Sequence, residues 1–332
     1  MAKSKYTSIG GSALIEGVMM RGCGRMAIAV RKESGDLILK VEKSKPANKI
    51  ISKIPLIRGL FGFVSSLTTS YRSLMYSADV SMEDALEEEP QGKFDAWLSK
   101  VLGNGGMAVL GAVSMVIGLV FAAAAFIFLP TLITDLFSKY VFELGDTVKR
   151  IVVGIFKILI FLGYMLAVSF MKEMRRVFMY HGAEHKTIFC YEAGRELTPE
   201  NARECRRFHP RCGTSFIVIT LLVSFAASML IPWGNAWIHS LFKFALLPVV
   251  MGLAYEFIKL AGKYDNTFTR IISAPGVWMQ RITTKEPDDS MLECAIWALN
   301  GVLDTDIPLD TRLKLENGAL IPDTVQDDEQ GK

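Results

Sequence analysis

Gly106–Leu129, GMAVLGAVSMVIGLVFAAAAFIFL, carries no charge from end to end. As an α-helix rising ~1.5 Å per residue it is long enough to cross the ~30 Å hydrocarbon core of a bilayer, and Pro130 is expected to end it. A second apolar run, Ile151–Met171, holds Lys157 as its one interior charge, and a third covers Thr214–Trp233. A fourth, Ile238–Leu260, is interrupted by Lys243, Pro248 and Glu256, so a re-entrant or interfacial segment is the alternative there. The expected fold class is an α-helical integral membrane protein with about four transmembrane helices. The composition agrees: 51% of the 332 residues are hydrophobic and the mean hydropathy is +0.30.

Orientation follows from the basic residues. The connections Pro130–Lys149 and Pro232–Lys243 hold few of them. The loop between the second and third runs holds Lys172, Arg175, Arg176, Lys186, Arg195, Arg203, Arg206, Arg207 and Arg211. Positive charge resists translocation, so this loop and the Lys/Arg-rich N-terminal region are expected on the cytoplasmic side of the plasma membrane. An even number of spans places the C-terminus there too. The first thirty residues have no apolar core before a small-residue cleavage site, so no signal peptide is expected. The five cysteines, Cys23, Cys190, Cys205, Cys212 and Cys294, are scattered and odd in number, which argues against a disulfide framework. The net charge of +3 is small and its basic residues are dispersed, so nucleic acid is not an expected partner. The lipid bilayer is.

The remaining chain divides by pattern. Residues 1–53 read as a β-rich region, in which Met26–Val30 and Leu37–Val41 flank Glu33-Ser-Gly-Asp36 as a β-hairpin. Ile9–Arg21 is a strand or extended loop beside it. In 54–105, Ile54–Met75 has helical periodicity suited to a membrane surface, and Glu83–Pro90 is an acidic linker. The four-span unit is 106–260, with a motif-bearing loop at 172–213. In the 261–303 segment, Met291–Leu299 has helical spacing, with Asp288, Asp289 and Ser290 as cap candidates. Residues 304–332 are expected to form a disordered acidic tail.

Chemistry concentrates in the basic loop. His181-Gly-Ala-Glu184-His185 fits H-x-x-E-H. On a helix, positions i, i+3 and i+4 share a face, so two imidazoles and a carboxylate can converge on one ion. The same letters define the inverted zinc-protease motif, with histidines as ligands and glutamate as the base. A helix-end histidine pair making ordinary hydrogen bonds is the alternative. His209-Pro-Arg-Cys212 lies just before the third run, on the same expected membrane face. Imidazole and thiolate together suit a divalent metal, zinc first. Cys190 or Cys205 is either a fourth ligand or a small buried residue.

Three further residues stand out. Glu256 is an ionisable group within a membrane run, which marks it as a functional candidate. It could neutralise a cation, relay a proton or pair with Lys157, or it could sit at the cytoplasmic end near Lys259 and Lys263. Glu16 and Arg21, flanked by Gly11, Gly17 and Gly22, form either a tight-backbone site or a turn with a surface ion pair. Glu286-Pro-Asp288-Asp289 is a cap or a set of divalent-ion ligands.

Taken together, Gly10–Gly22 (GGSALIEGVMMRG), Tyr180–Thr187 (YHGAEHKT), His209–Ser215 (HPRCGTS) and Glu286–Asp289 (EPDD) resemble the YqhQ family of bacterial membrane proteins, from Ile9 to about Leu303. That family is of unknown function and has been described as a predicted metal-dependent enzyme. The resemblance implies that Glu16, Arg21, His181, Glu184, His185, His209 and Cys212 occupy its motif positions. It implies no substrate.

Two classes of function fit. One is a membrane-embedded metalloenzyme of hydrolase type, with zinc on His181, His185 and one of His209 or Cys212, and Glu184 as base. Ligation by both His209 and Cys212 would fill the fourth position and mark a structural site. The other class is a regulator or scaffold with a structural metal, or less readily a small ion carrier, acting on an unknown substrate or protein partner.

Overall fold

The computed structural model describes residues 7, 9–44, 53–83, 106–209, 212–231, 235–263, 267–316 and 318–323. Strands β1 (Gly10–Leu14), β2 (Gly17–Gly22), β3 (Arg25–Arg31) and β4 (Leu37–Lys43) form an antiparallel meander. The expected hairpin is β3–β4, and Ile9–Arg21 is a second hairpin, β1–β2. Helix α1 (Ile57–Ser81) follows. The described helices continue as α2 (Gly106–Ala123), a π-helical turn (Ala124–Phe128), α3 (Leu129–Tyr140), α4 (Asp146–Ser169), α5 (Lys172–Glu192), α6 (Pro199–Arg203), α7 (Gly213–Ser228), α8 (Ala236–Lys263), α9 (Thr267–Thr283) and α10 (Asp289–Leu303).

The 304–332 tail is corrected by the structure. Strands β5 (Thr311–Glu316) and β6 (Ala319–Pro322) extend the sheet in the order β1-β2-β3-β4-β5-β6. Leu39 stands opposite Leu313 and Leu37 opposite Leu315. A six-residue strand among acids has too little apolar pattern to announce itself. Its pairing partner lies far away in sequence, and the edge of β4 supplies the hydrogen bonds that stabilise it. Arg312 joins both Glu83 and Asp323 as β5 docks. Residues 324–332, and the linker 84–105, lie outside the described residues.

The sheet is covered on both faces, which is what its side-chain alternation requires. Val18, Met20, Ala29, Leu39 and Val41 share a core with Tyr180 and Ala183 of α5 and with Met291, Ala295 and Leu299 of α10. Leu14, Met19, Ile28, Val30 and Ile38 pack with Val80 of α1. Asp288 caps α10, its carboxylate accepting the Met291 N–H at 2.9 Å.

Three helical stretches among the described residues are long and apolar enough to cross a membrane: Val113–Tyr140, Asp146–Ser169 and Trp237–Leu260. Their outward faces are apolar, with Leu119 67% and Leu159 55% exposed, as a lipid environment accommodates and water does not. Two expectations shift here. Pro130 does not end the first run: the helix passes through it to Tyr140, because the preceding π turn changes the hydrogen-bond register where proline lacks its N–H. The third run, expected over Thr214–Trp233, is helical only over 16 residues, or ~24 Å, while the interrupted fourth is one continuous helix through Pro248. Helix α7 lies antiparallel beside α4. Lys157 Nζ donates to Ser224 Oγ at 2.6 Å, and Arg150 reaches the Ile231 carbonyl at 3.0 Å. The α5 end of the molecule therefore gathers the end of α4, the start of α7 and the sheet.

Candidate metal centre

Helix α5 carries the H-x-x-E-H residues on its buried side. Glu184 is 5% exposed and His185 1%. The Nδ1–H of His181 donates to the Thr283 carbonyl at 2.9 Å, and that of His185 to the Arg207 carbonyl at 2.5 Å. Each bond commits Nδ1 as donor and turns Nε2 inward. Cys212, at the N-cap of α7, completes the group: its Sγ lies 3.0 Å from His181 Nε2 and accepts the Thr214 N–H at 3.4 Å. One ligand atom each from His181, His185 and Cys212 lies within 4.8 Å of the others. A tetrahedral ion with bonds of about 2.0–2.3 Å separates its ligands by about 3.3–3.8 Å, so the widest pair of the set would draw together by about 1.0–1.5 Å to close on such an ion.

Burial works against charge on both partners of the His181–Cys212 contact. Their mutual attraction overcomes it, raising His181 to about 9 and, with His185 assisting, holding the Cys212 thiol well below its ordinary value. Without a metal the pair thus favours thiolate and imidazolium, and ligation would require His181 to give up its Nε2 proton. Glu184 behaves differently. Burial raises its carboxyl pKa, with His185 and His181 pulling the other way, and the Gly11 backbone hydrogen-bonds to it. Its Oε2 is 4.0 Å from His181 Nε2. Glu184 is outside the three-atom group, in a position beside it.

His209 does not join that group. Its ring stands 5.5 Å from that of His185 and 4.7 Å from that of Phe189, centroid to centroid. Its backbone is gripped instead, with its N–H donating to Gln280 Oε1 and its carbonyl accepting from Gln280 Nε2, both at 2.7 Å. Cys190 and Cys205 pack in and against the sheet-facing core. The other candidates are dispersed. Glu16 sits in the β1–β2 turn and takes a bidentate bond from Arg176, plus the Tyr180 hydroxyl at 3.2 Å. It is therefore the ion-paired turn, with Arg176 rather than Arg21 as partner. Arg21 donates to Ser44 Oγ at 2.8 Å. Glu256 pairs with Arg58 of α1, at 2.7 and 2.5 Å, and not with Lys157. Glu286 joins Lys186 at 3.0 Å and Arg207 at 2.7 Å, which locks the motif loop to the α9–α10 connection.

Several supporting contacts come from residues that no local motif marks. Gln280 and the carbonyls of Thr283 and Arg207 orient the site from 71 to 102 and 22 positions away respectively. Gly182 was legible as the small residue inside H-x-x-E-H. A Cβ there would meet the Lys285 carbonyl oxygen at 2.1 Å.

A family model described as Protein of unknown function (DUF1385) matches residues 54–305. The chain belongs to this family. The Uncharacterized protein YqhQ of Bacillus subtilis (strain 168) is 34% identical over 312 residues, which cover 91% of this chain and 95% of that one. No solved structure matches. The resemblance carried by the four motifs thus holds at the level of the family, and neither match brings an activity with it.

Proposed function

We propose that this DUF1385 member is a metal-dependent enzyme of the plasma membrane, of hydrolase type, with a zinc-class ion held by His181, His185 and Cys212 on the cytoplasmic face. One observation carries the reading: both histidines spend Nδ1–H on backbone carbonyls, so both Nε2 atoms are left to face the Cys212 sulfur. A carbonyl behind each ligating imidazole is the usual support of a metal ligand. Three protein ligands leave a fourth position open, which separates this set from a closed structural site. The ion would supply water activation or carbonyl polarisation. Glu184, buried beside the ligands with its pKa raised, is placed to take and return a proton.

Cys212 also meets the description of a nucleophile, at a helix N-cap with an imidazole at 3.0 Å. A nucleophile needs one histidine, however, and here two converge, which favours ligation. Elemental analysis of the detergent-purified full chain is expected to find about one zinc-class ion per chain, and a metal-free but active protein would end the metal reading. The thiol gives a second measurement. Removing the metal with a chelator should raise the alkylation rate of Cys212 at least about fivefold and leave Cys294 unchanged. A Cys212 rate that is fast and indifferent to chelation would favour the nucleophile.

Orientation has its own test. Cysteine labelling in cells is expected to place Arg203 and the C-terminus inside, and Phe142 in the α3–α4 connection outside. Substituted cysteine at 203 that reacts only with an impermeant external reagent would invert the placement of the whole site.

A further inference from the structure

Beside the candidate metal centre lies a 470 Å³ cavity between the β1–β2 edge and α1, lined by Gly11, Arg21, Ser44, Ser66, Ser70 and Gly213 among others. Two of these residues abut the cluster. The Gly11 backbone bonds to Glu184, and a Cβ on Gly11 would come within 3.0 Å of Glu184 Oε1. Gly213 directly follows Cys212. None of His181, Glu184, His185 and Cys212 lines the cavity; Gly11 and Gly213 are its points of approach to them.

Its other end is basic. A second, 230 Å³ hollow shares Arg21, Ser44 and Thr69 with the first, and adds Lys40, Lys43 and Arg72 against Glu42 as the one acid in its lining. The walls of the combined cleft thus offer a guanidinium at the junction, a row of hydroxyls from Ser44, Ser66, Thr69 and Ser70, and glycine backbone that a ligand can approach closely. A planar carboxylate uses two acceptor directions. A phosphate ester presents its non-bridging oxygens, three in a monoester and two in a diester, on a tetrahedral centre, and forked guanidinium, hydroxyl and backbone N–H donors set around it suit that shape better. Helix α1 supplies the hydroxyl wall, while Ile57, Phe61, Val64 and Leu67 form a stripe at helical spacing that stays 43–52% exposed. Its Phe63 stacks on Phe216 of α7 at 5.3 Å, and Gly59 lies against Tyr255 of the Trp237–Leu260 helix. The cleft consequently opens beside the apolar helices.

We infer that this cleft is the substrate pocket of the proposed metal centre, and that it takes a phosphoester whose phosphoryl group is anchored at Arg21 with its reacting part directed toward Glu184. The inference rests on the metal reading for the direction of the substrate, while phosphoryl recognition stands on the cleft itself.

Cys23 is exposed and lines the same cavity, so it reports occupancy without any knowledge of the reaction. The experiment measures Cys23 alkylation by mass spectrometry in the full-length protein in uncharged detergent, with zinc content recorded on the same sample. At about tenfold above its Kd, dioctanoyl phosphatidylglycerol should slow Cys23 alkylation by about tenfold, following its occupancy. Dioctanoylglycerol, which lacks the phosphoryl group, should not. Arg21→Gln should weaken the protecting ligand about tenfold or more, the worth of a charge-assisted hydrogen bond, and Arg21→Lys should retain part of the effect. Protection by glycerol phosphate equal to that by the lipid identifies a soluble phosphoester as sufficient. Protection by the lipid alone identifies a headgroup, and either result supports the proposal. Equal protection by dioctanoylglycerol, no protection of the folded wild-type chain, or full protection in a folded Arg21→Gln protein overturns it. Protection that persists in a zinc-free sample supports phosphoryl recognition independently of the metal reading, which the zinc analysis tests. A zinc-loaded sample without protection would end phosphoryl recognition alone.

Discussion

Glu184→Gln is expected to leave metal content and melting temperature unchanged while abolishing complementation of a strain lacking the gene. The side chains are nearly isosteric, and the contact with the Gly11 backbone is available to the amide oxygen of glutamine. What is lost is the ability to take a proton, a contribution of about 10²–10⁴ in rate for a positioned general base. His181→Ala and His185→Ala should differ in kind, each removing a ligand and its carbonyl-supported orientation, so that metal content itself falls. Metal analysis and complementation on the same three variants separate the roles. Full complementation by Glu184→Gln beside failure of both histidine variants would sink the hydrolase mechanism and favour a structural metal. Complementation by all three would remove the cluster from function altogether.

Gly182→Ala is expected to be the most damaging single-methyl addition near the site. Helix α5 approaches the end of α9 so closely at this point that a Cβ would lie 2.1 Å from the Lys285 carbonyl oxygen, a backbone atom that cannot rotate away. The same segment donates the Lys285 N–H to the Phe178 carbonyl at 2.8 Å and offers the Thr283 carbonyl to His181. Forcing the two apart should cost about 1–3 kcal/mol of stability, and, by pulling Thr283 from His181, about 10–100-fold in metal affinity. Gly163→Ala is the control. A Cβ there meets nothing within 4 Å, and alanine in a helix interior is favoured over glycine by about 0.5–1 kcal/mol. A Gly182→Ala protein with wild-type melting and zinc affinity would show that α5 and the 283–285 segment are not locked together as described.

Each part of the protein was legible only as far as its information is local. Apolar length alone determined that Gly106–Leu129 and Ile151–Met171 would be helices, the second despite Lys157. The i, i+3, i+4 spacing alone determined that His181, Glu184 and His185 would share one face of α5. The Asp288 cap and the β3–β4 hairpin were equally readable, since both depend on neighbours a few residues apart. Tertiary structure decided the rest. No spacing in the sequence distinguishes Cys212 from His209 as the third member of the cluster, because both sit in one short loop. The choice falls to Gln280, which holds the His209 backbone from α9 while Cys212 is turned inward as the cap of α7. Glu16 finds Arg176 and Glu256 finds Arg58 for the same reason: each pair is 160 or more positions apart in the chain. Likewise β5 and β6 have too little pattern of their own and become strands only because β4 offers an edge to β5, which in turn offers one to β6. Hydrogen bonds and ion pairs between distant segments depend on where packing brings the backbone, and periodicity within one segment carries no record of that.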